Sequence, residues 1–272
     1  MIETVANADT PRTQEPSLPI SVQAEGPVVT ITMDDPARRN ALGRETLAAL
    51  TAAFDATRGA RAIILRAAPR NKVWCAGFDI DDLVPGMDPL AESGPLKTLF
   101  RAVQSCPCPV IAMLDGTAWG GGTDLALRCD IAIGSPACTL AFTPARLGLP
   151  YDPEGLLNVM LRAGLPFAME MFATADPVPA PRALAAGLLN HLVPASEIEA
   201  FTRAMADRIA ANAPLSVTSA KAQLRALNAA MPLPPATMQA LLDARQTALH
   251  SADFSEGLAA FRAKRPPTFH GQ

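Results

Sequence analysis

Three short stretches of this chain are apolar at every position: Ala62-Ile63-Ile64-Leu65, Val110-Ile111-Ala112-Met113-Leu114 and Ile131-Ala132-Ile133. A strand with one wet face alternates apolar and polar residues, so an unbroken apolar run predicts a strand covered on both faces. Val28-Val29-Thr30-Ile31-Thr32-Met33 adds a β-branched strand, stopped by Asp34-Asp35-Pro36. Helical spacing places Leu47, Leu50 and Phe54 on one face over residues 44–57. A glycine-rich turn, Gly120-Gly121-Gly122, leads into a short helix expected over residues 124–128. Strands alternating with helices in this way predict an α/β core with parallel pairing.

The pattern changes after Pro194. Ser196 and Glu199 have capping-box spacing, and Ile198, Phe201, Met205 and Ile209 recur at helical intervals. Pro214 separates that helix from one carrying Val217, Leu224 and Leu227, and Met231-Pro-Leu-Pro-Pro breaks the chain again. A further helix is expected over residues 236–249. Asp253 and Glu256 then form a second capping box before Phe254, Leu258 and Phe261. We therefore divide the chain into a fraying N-terminal segment, residues 1–17, a core over 18–195 and a helical region over 196–272. These helices carry more apolar surface than a small bundle hides, which predicts packing on the core or on a neighbouring subunit.

Composition excludes several classes of function. The chain has 272 residues and a formal charge of −3, so no general basic field attracts nucleic acid. No apolar stretch approaches the ~18 residues of a membrane span. Residues 1–17 carry Asp9, Glu15 and two prolines and resemble neither a signal nor a transit peptide. The five cysteines, an odd number, read as reduced thiols, and the expected location is the cytoplasm. Cys106-Pro107-Cys108 is too tight for usual zinc spacing and no His pair accompanies it, so no metal is expected. His191, His250 and His270 form no nucleophile constellation.

Two segments carry candidate chemistry. One is Val73-Trp74-Cys75-Ala76-Gly77-Phe78-Asp79-Ile80; the other runs from Asp115 through Trp119-Gly120-Gly121-Gly122-Thr123-Asp124. Glycines at a helix start let main-chain N–H groups face a ligand, and the helix N-terminus adds partial positive charge. One N–H from each segment, converging on a point, would stabilise a developing oxyanion. Alone, the glycine run is equally a tight turn; it is neither a dinucleotide fingerprint nor a P-loop.

Ala76-Gly77-Phe78-Asp79-Ile80, Pro109-Val110-Ile111-Ala112 and the three glycines before Asp124 stand in an order similar to that of the crotonase (enoyl-CoA hydratase/isomerase) superfamily. Asn40-Ala41-Leu42, Cys129-Asp130-Ile131, residues 182–190 and the tail from Glu256 to Phe269 add to the resemblance, which spans roughly residues 20–270. It implies a spiral of ββα turns followed by a C-terminal helical trimerisation region, giving homotrimers or dimers of trimers. It also implies that the Phe78 and Gly121 N–H groups bind the thioester oxygen of an acyl-CoA. Ala41, Leu42, Ala76, Asp79 and Ile80 would hold coenzyme A, which enters as part of the substrate; no other cofactor is implied.

The family's hydratases use two glutamates to activate water. Asp124 and Ala145 stand at those places here, and an alanine cannot move a proton. Phe142-Thr143-Pro144-Ala145-Arg146-Leu147-Gly148-Leu149-Pro150-Tyr151 instead resembles the subgroup containing methylmalonyl-CoA decarboxylase. By that resemblance Tyr151 reaches a substrate carboxylate in an acyl pocket walled by Trp119, Gly120, Thr143, Pro144, Leu149 and Pro150. Phe78 departs from the subgroup's His, and Asp124 from its Glu. The expected activity is decarboxylation of a methylmalonyl-CoA or malonyl-CoA type thioester. The alternatives are a hydratase or isomerase using Asp124 with Asp152 or Glu154, and a catalytically silent acyl-CoA-binding oligomer. The residues also admit plainer readings: Tyr151 as a turn residue, Asp124 as a helix cap, Lys264-Arg265 as a charged helix end.

Overall fold

The computed structural model describes residues 19–57, 59–69, 71–229 and 234–271. β1 (Ile20–Glu25) and β2 (Val28–Met33) form an antiparallel hairpin turning at Gly26, whose φ of 60° suits glycine. After α1 (Arg44–Ala56) the chain repeats one unit. A strand is followed by a short strand and then a helix: β3 (Ala62–Ala67), β4 (Val73–Cys75), α2 (Pro95–Ser105); then β5 (Val110–Leu114), β6 (Thr117–Trp119), α3 (Gly121–Arg128). β7 (Ile131–Gly134) and β8 (Thr139–Ala141) begin a third turn, continued by α4 (Pro153–Ala163) and α5 (Leu165–Thr174). β9 (Val178–Pro179), α6 (Ala180–Ala185) and β10 (His191–Leu192) close it.

The long strands form a six-stranded sheet in the order β1-β2-β3-β5-β7-β10, parallel from β2 onward, and the short ones form a second sheet, β4-β6-β8-β9. This is the expected spiral of ββα turns. The unbroken apolar runs have the double cover they predict. Ile63 and Leu65 of β3 face the main core with Trp74, Phe100 and Leu114. Ala62 and Ile64 face the other way, against Ile198, Ala206 and Ala210 of α7 (Ile198–Ala211). The side-chain period of two in a strand thus divides one apolar run between two layers.

α8 (Pro214–Ala229), α9 (Pro235–Leu249) and α10 (Ala252–Arg262) complete the described helices. α10 packs beside Leu149 through Phe254 and Leu258, while Leu215, Leu224 and Leu227 of α8 remain exposed.

Three local expectations need correction. Ser196 and Glu199 form no capping box: Glu197 is the N-cap of α7 without a side-chain cap bond, and Glu199 pairs with Arg66 at 2.7 Å. Asp253 and Glu256 do not cap α10 either. Ser251 accepts the Phe254 N–H, whereas Asp253 accepts the His270 and Gly271 N–H groups and Glu256 that of Thr268. Those carboxylates fasten the returning tail, which offers better-placed donors than the helix start. Finally, α3 begins at Gly121, ahead of the expected Asp124, so the glycines belong to its first turn. The 1–17 segment and most of the Met231-Pro-Leu-Pro-Pro breaker lie outside the described residues.

Candidate active site

β4 and the start of α3 bring the two glycine-bearing segments into contact. Gly77 follows β4 with φ 89°, and a Cβ there would lie 2.5 Å from the Trp119 carbonyl oxygen and 3.2 Å from the Gly121 nitrogen. A Cβ on Gly121 would sit 3.4 Å from the Phe78 nitrogen. The two N–H groups are therefore close neighbours, and the missing side chains are what allow it. Gly120 is the N-cap of α3, and its own N–H is held by the Ala141 carbonyl at 2.8 Å. Gly122 lets α3 lie on β4, since a Cβ would meet Cys75 at 2.7 Å. The Phe78 segment is fixed from the other side: Leu42 donates to the Gly77 carbonyl at 2.7 Å, and Asp79 donates to Leu42 at 3.4 Å. Among the described residues neither the Phe78 nor the Gly121 N–H donates to a protein backbone acceptor in these turns.

An open cleft of about 860 Å³ leads to this point, lined by Ala41, Ala76, Phe78, Asp79, Ile80, Trp119 and Thr143. Arg38, Arg39, Arg146 and Arg265 also line it together with Asp79 and Asp81, so cations outnumber carboxylates in its wall although Arg146 and Arg265 are paired with Asp176 and Glu256. A smaller cavity of about 80 Å³ adjoins it, lined by Ala76, Phe78, Ile80, Gly120, Gly121, Thr143, Pro144, Leu149 and Tyr151. Leu83, Leu90 and Leu96 supply much of its apolar wall. These leucines went unrecognised in the sequence, because Leu83 and Leu90 lie in a loop without periodicity. Trp119 borders the cleft rather than the cavity, its indole N–H held by Thr117, and Pro150 borders neither. Leu42 is wholly buried and supports Gly121 from behind, without lining either space.

Tyr151 and Asp124 form a pair. The Tyr151 hydroxyl donates to Asp124 Oδ2 at 2.9 Å, and Arg128, one turn on in α3, donates its Nε to Oδ1 at 2.9 Å. Asp124 and Arg128 are 0% and 2% exposed, and the Arg128 guanidinium lies over the Phe100 ring. The Tyr151 ring packs against Phe142 and Phe172 and is accommodated by Gly155, where a Cβ would meet it at 2.3 Å. Burial, and then the Asp124 charge, push the phenol's pKa well above its ordinary value, so it stays protonated. Its one proton points to Asp124, so in this arrangement the hydroxyl has only lone pairs to offer and the expected hydrogen bond from Tyr151 to a substrate carboxylate cannot be made. Asp124 is thus no helix cap, and Tyr151 is more than a turn residue.

The other nearby acids are occupied. Asp152 caps α4 through the Gly155 N–H and pairs with the buried Lys97 at 2.6 Å; Glu154 pairs with the same Lys97 at 2.6 Å and with Arg128 at 3.3 Å. Neither lines the cavity, and Ala145 is exposed. Arg265 grips Glu256 with two hydrogen bonds while bordering the cleft, so it is both a helix-end partner and a cleft cation. Cys75, beside the glycines, is an inert thiol: burial pushes it up to about 12. Among the described residues no group of three or more His, Cys, Asp or Glu could hold a metal, and no helix is long and apolar enough to cross a membrane.

The chain is similar to known proteins along most of its length. Methylmalonyl-CoA decarboxylase of Escherichia coli (strain K12) is 39% identical over 212 residues, covering 78% of this chain and 81% of the relative. A probable enoyl-CoA hydratase of Rhodobacter capsulatus is 36% identical over 256 residues, covering 90% and 95%. The solved structure of methylmalonyl-CoA decarboxylase in complex with 2-nitronate-propionyl-CoA superimposes with a TM-score of 0.90 at 36% identity, over 93% of this chain and 98% of that one. Residues 23–272 match the enoyl-CoA hydratase/isomerase family along their whole length, and the chain belongs to that family.

Proposed function

We propose that this protein decarboxylates a malonyl-type CoA thioester, with methylmalonyl-CoA as the favoured substrate. The observation that carries the reading is the Tyr151–Asp124 pair at an apolar cavity beside the Phe78 and Gly121 N–H groups, with no unengaged carboxylate among its walls. In this reading the thioester oxygen accepts from Phe78 and Gly121. Breaking the bond to the carboxylate leaves its electron pair in an enolate, whose charge falls on that oxygen. One well-placed donor lowers such a barrier by about 3–4 kcal/mol. Because only the backbone N–H is used, a phenylalanine at position 78 is compatible with the role. Leu83, Leu90, Leu96 and Leu149 keep water from the carboxylate, favouring a product with dispersed charge.

Hydration requires one group to deliver a proton and another to accept one. Asp124 is held by Arg128 and Tyr151, and Asp152 and Glu154 are held by Lys97, which disfavours that chemistry. The proton on Tyr151 is directed to Asp124, which supports solvent as the donor to the enolate. Coenzyme A would lie in the outer cleft, its phosphates near Arg38, Arg39, Arg146 and Arg265. The similarity to the Escherichia coli decarboxylase supports the same reading. The exposed Leu215, Leu224 and Leu227 support a trimer or dimer of trimers in which α8 is covered by another copy.

The test is mass spectrometry of the CoA esters after separate incubation with methylmalonyl-CoA, malonyl-CoA and crotonyl-CoA. Loss of CO2 from either of the first two is expected. Hydration of crotonyl-CoA alone would overturn the proposal and return the search for a base to Asp124, Asp152 and Glu154. Binding of all three with no product would make the protein a silent acyl-CoA binder.

A further inference from the structure

Between α2 and β5, Cys106 and Cys108 bring their sulfurs to 3.6 Å. Cys106 is the C-cap of α2, with φ −57° and ψ 128°, and the chain bends at Pro107 and Cys108 before entering β5. The sulfurs lie farther apart than an S–S bond of about 2.0 Å, and forming one draws them together across this bend. A separate cavity of about 190 Å³, lined by Pro107, Cys108, Arg61, Ile209 and Val217, opens onto Cys108, with the Cys106 sulfur directly behind it.

Nothing in the proposed chemistry uses this pair. We propose that Cys106 and Cys108 form a reversible dithiol site, oxidised to an intramolecular disulfide by small hydroperoxides. The Cys106 thiolate attacks one peroxide oxygen, the O–O bond breaks, and the departing oxygen takes a proton to leave as an alcohol, or as water. The Cys108 sulfur then displaces water from the resulting sulfenic acid, giving the disulfide. Two thiols and one hydroperoxide thus become one disulfide, one alcohol and one water.

The surroundings separate this pair from the other cysteines. A hydrogen bond from Cys108 and the nearby Lys221 charge lower the pKa of the Cys106 thiol, against the opposing effect of burial. Lys221 is itself fixed there, donating to the Cys108 carbonyl at 2.8 Å and pairing with Asp130 at 2.7 Å. Cys75, Cys129 and Cys138 are pushed by burial up to about 12 and stand apart as neutral thiols.

The experiment treats the native full-length protein with hydrogen peroxide, blocks free thiols, and maps the tryptic peptide spanning residues 102–128, whose only cysteines are Cys106 and Cys108. The expected product is this peptide, unblocked and lighter by two hydrogen atoms, restored by dithiothreitol. Cys106→Ser and Cys108→Ser should each abolish it, the second leaving a trappable sulfenic acid on Cys106. Oxidation falling first on Cys75, Cys129 or Cys138, or a disulfide appearing only in denatured protein, would overturn the proposal. Because the parent protein is compared folded and denatured, the outcome stands even if a variant misfolds.

Discussion

The hydroxyl of Tyr151 and the carboxylate of Asp124, 27 residues apart in sequence, are joined by a 2.9 Å hydrogen bond beside the apolar cavity. Removing the hydroxyl alone isolates what this bond contributes. Tyr151→Phe should lower kcat for CO2 loss by about ten- to a hundredfold, each factor of ten being about 1.4 kcal/mol, with KM changed less. Steady-state kinetics on methylmalonyl-CoA check this, and an unchanged kcat would remove Tyr151 from the site.

Gly77 tests the backbone donors. Gly77→Ala forces a methyl against the Trp119 carbonyl and strains a φ of 89°, displacing the adjacent Phe78 N–H. The loss of one such donor predicts a fall of about 10²–10³ in kcat, with circular dichroism showing a retained fold. Full activity in a folded variant would exclude the Phe78 N–H as a donor.

Lys97 tests the buried charges behind the site. Its ammonium lies between Asp152 and Glu154, and both Lys97 and Asp152 are buried. Lys97→Met should destabilise the protein by about 3–5 kcal/mol, because it strands a buried carboxylate. Urea denaturation reads this as a lower midpoint at unchanged slope.

The buried thiols predict an alkaline limit to stability. Burial raises Cys75, Cys129 and Cys138 to about 12, above the ~8.5 of an unfolded thiol. The folded state therefore holds protons that the unfolded state releases, so this stability is complete below pH ~8.5 and is lost as pH rises toward 12. Denaturation midpoints under reducing conditions should fall between pH 8 and 10.5, less steeply in Cys138→Ala. A midpoint constant over that range would contradict the burial of these thiols.

The exposed leucines of α8 give the proposed trimer or hexamer its test. Leu224→Glu with Leu227→Glu should shift sedimentation from trimer or hexamer toward monomer, because charge is costly in a covered apolar face. An unchanged species would place the interface elsewhere.

Much of this molecule is legible in the chain itself. Uninterrupted apolar runs identify β3, β5 and β7, since a residue period of two with no polar member requires cover on both faces. The glycines at 77, 120, 121 and 122 mark the approach of two backbones, because at Gly77 and Gly122 a side chain would meet its neighbours. The short strands β4, β6, β8, β9 and β10 escape such reading, as two or three residues show no period and owe their form to pairing partners.

Tertiary structure decided the rest. The spacing at Asp253 and Glu256 suits a capping box, yet both carboxylates serve the returning tail, whose donors come from 12 to 18 residues away. Asp124 reads locally as a helix-start acid, but its partners are Arg128, one turn on, and Tyr151, 27 residues away in the chain. Asp152 and Glu154 look like spare bases until Lys97, arriving on α2, occupies them. Sequence alone determined which backbone segments adopt special geometry, because that is a local steric property. Which acid is engaged and which space is apolar depended on chain segments that only folding brings together.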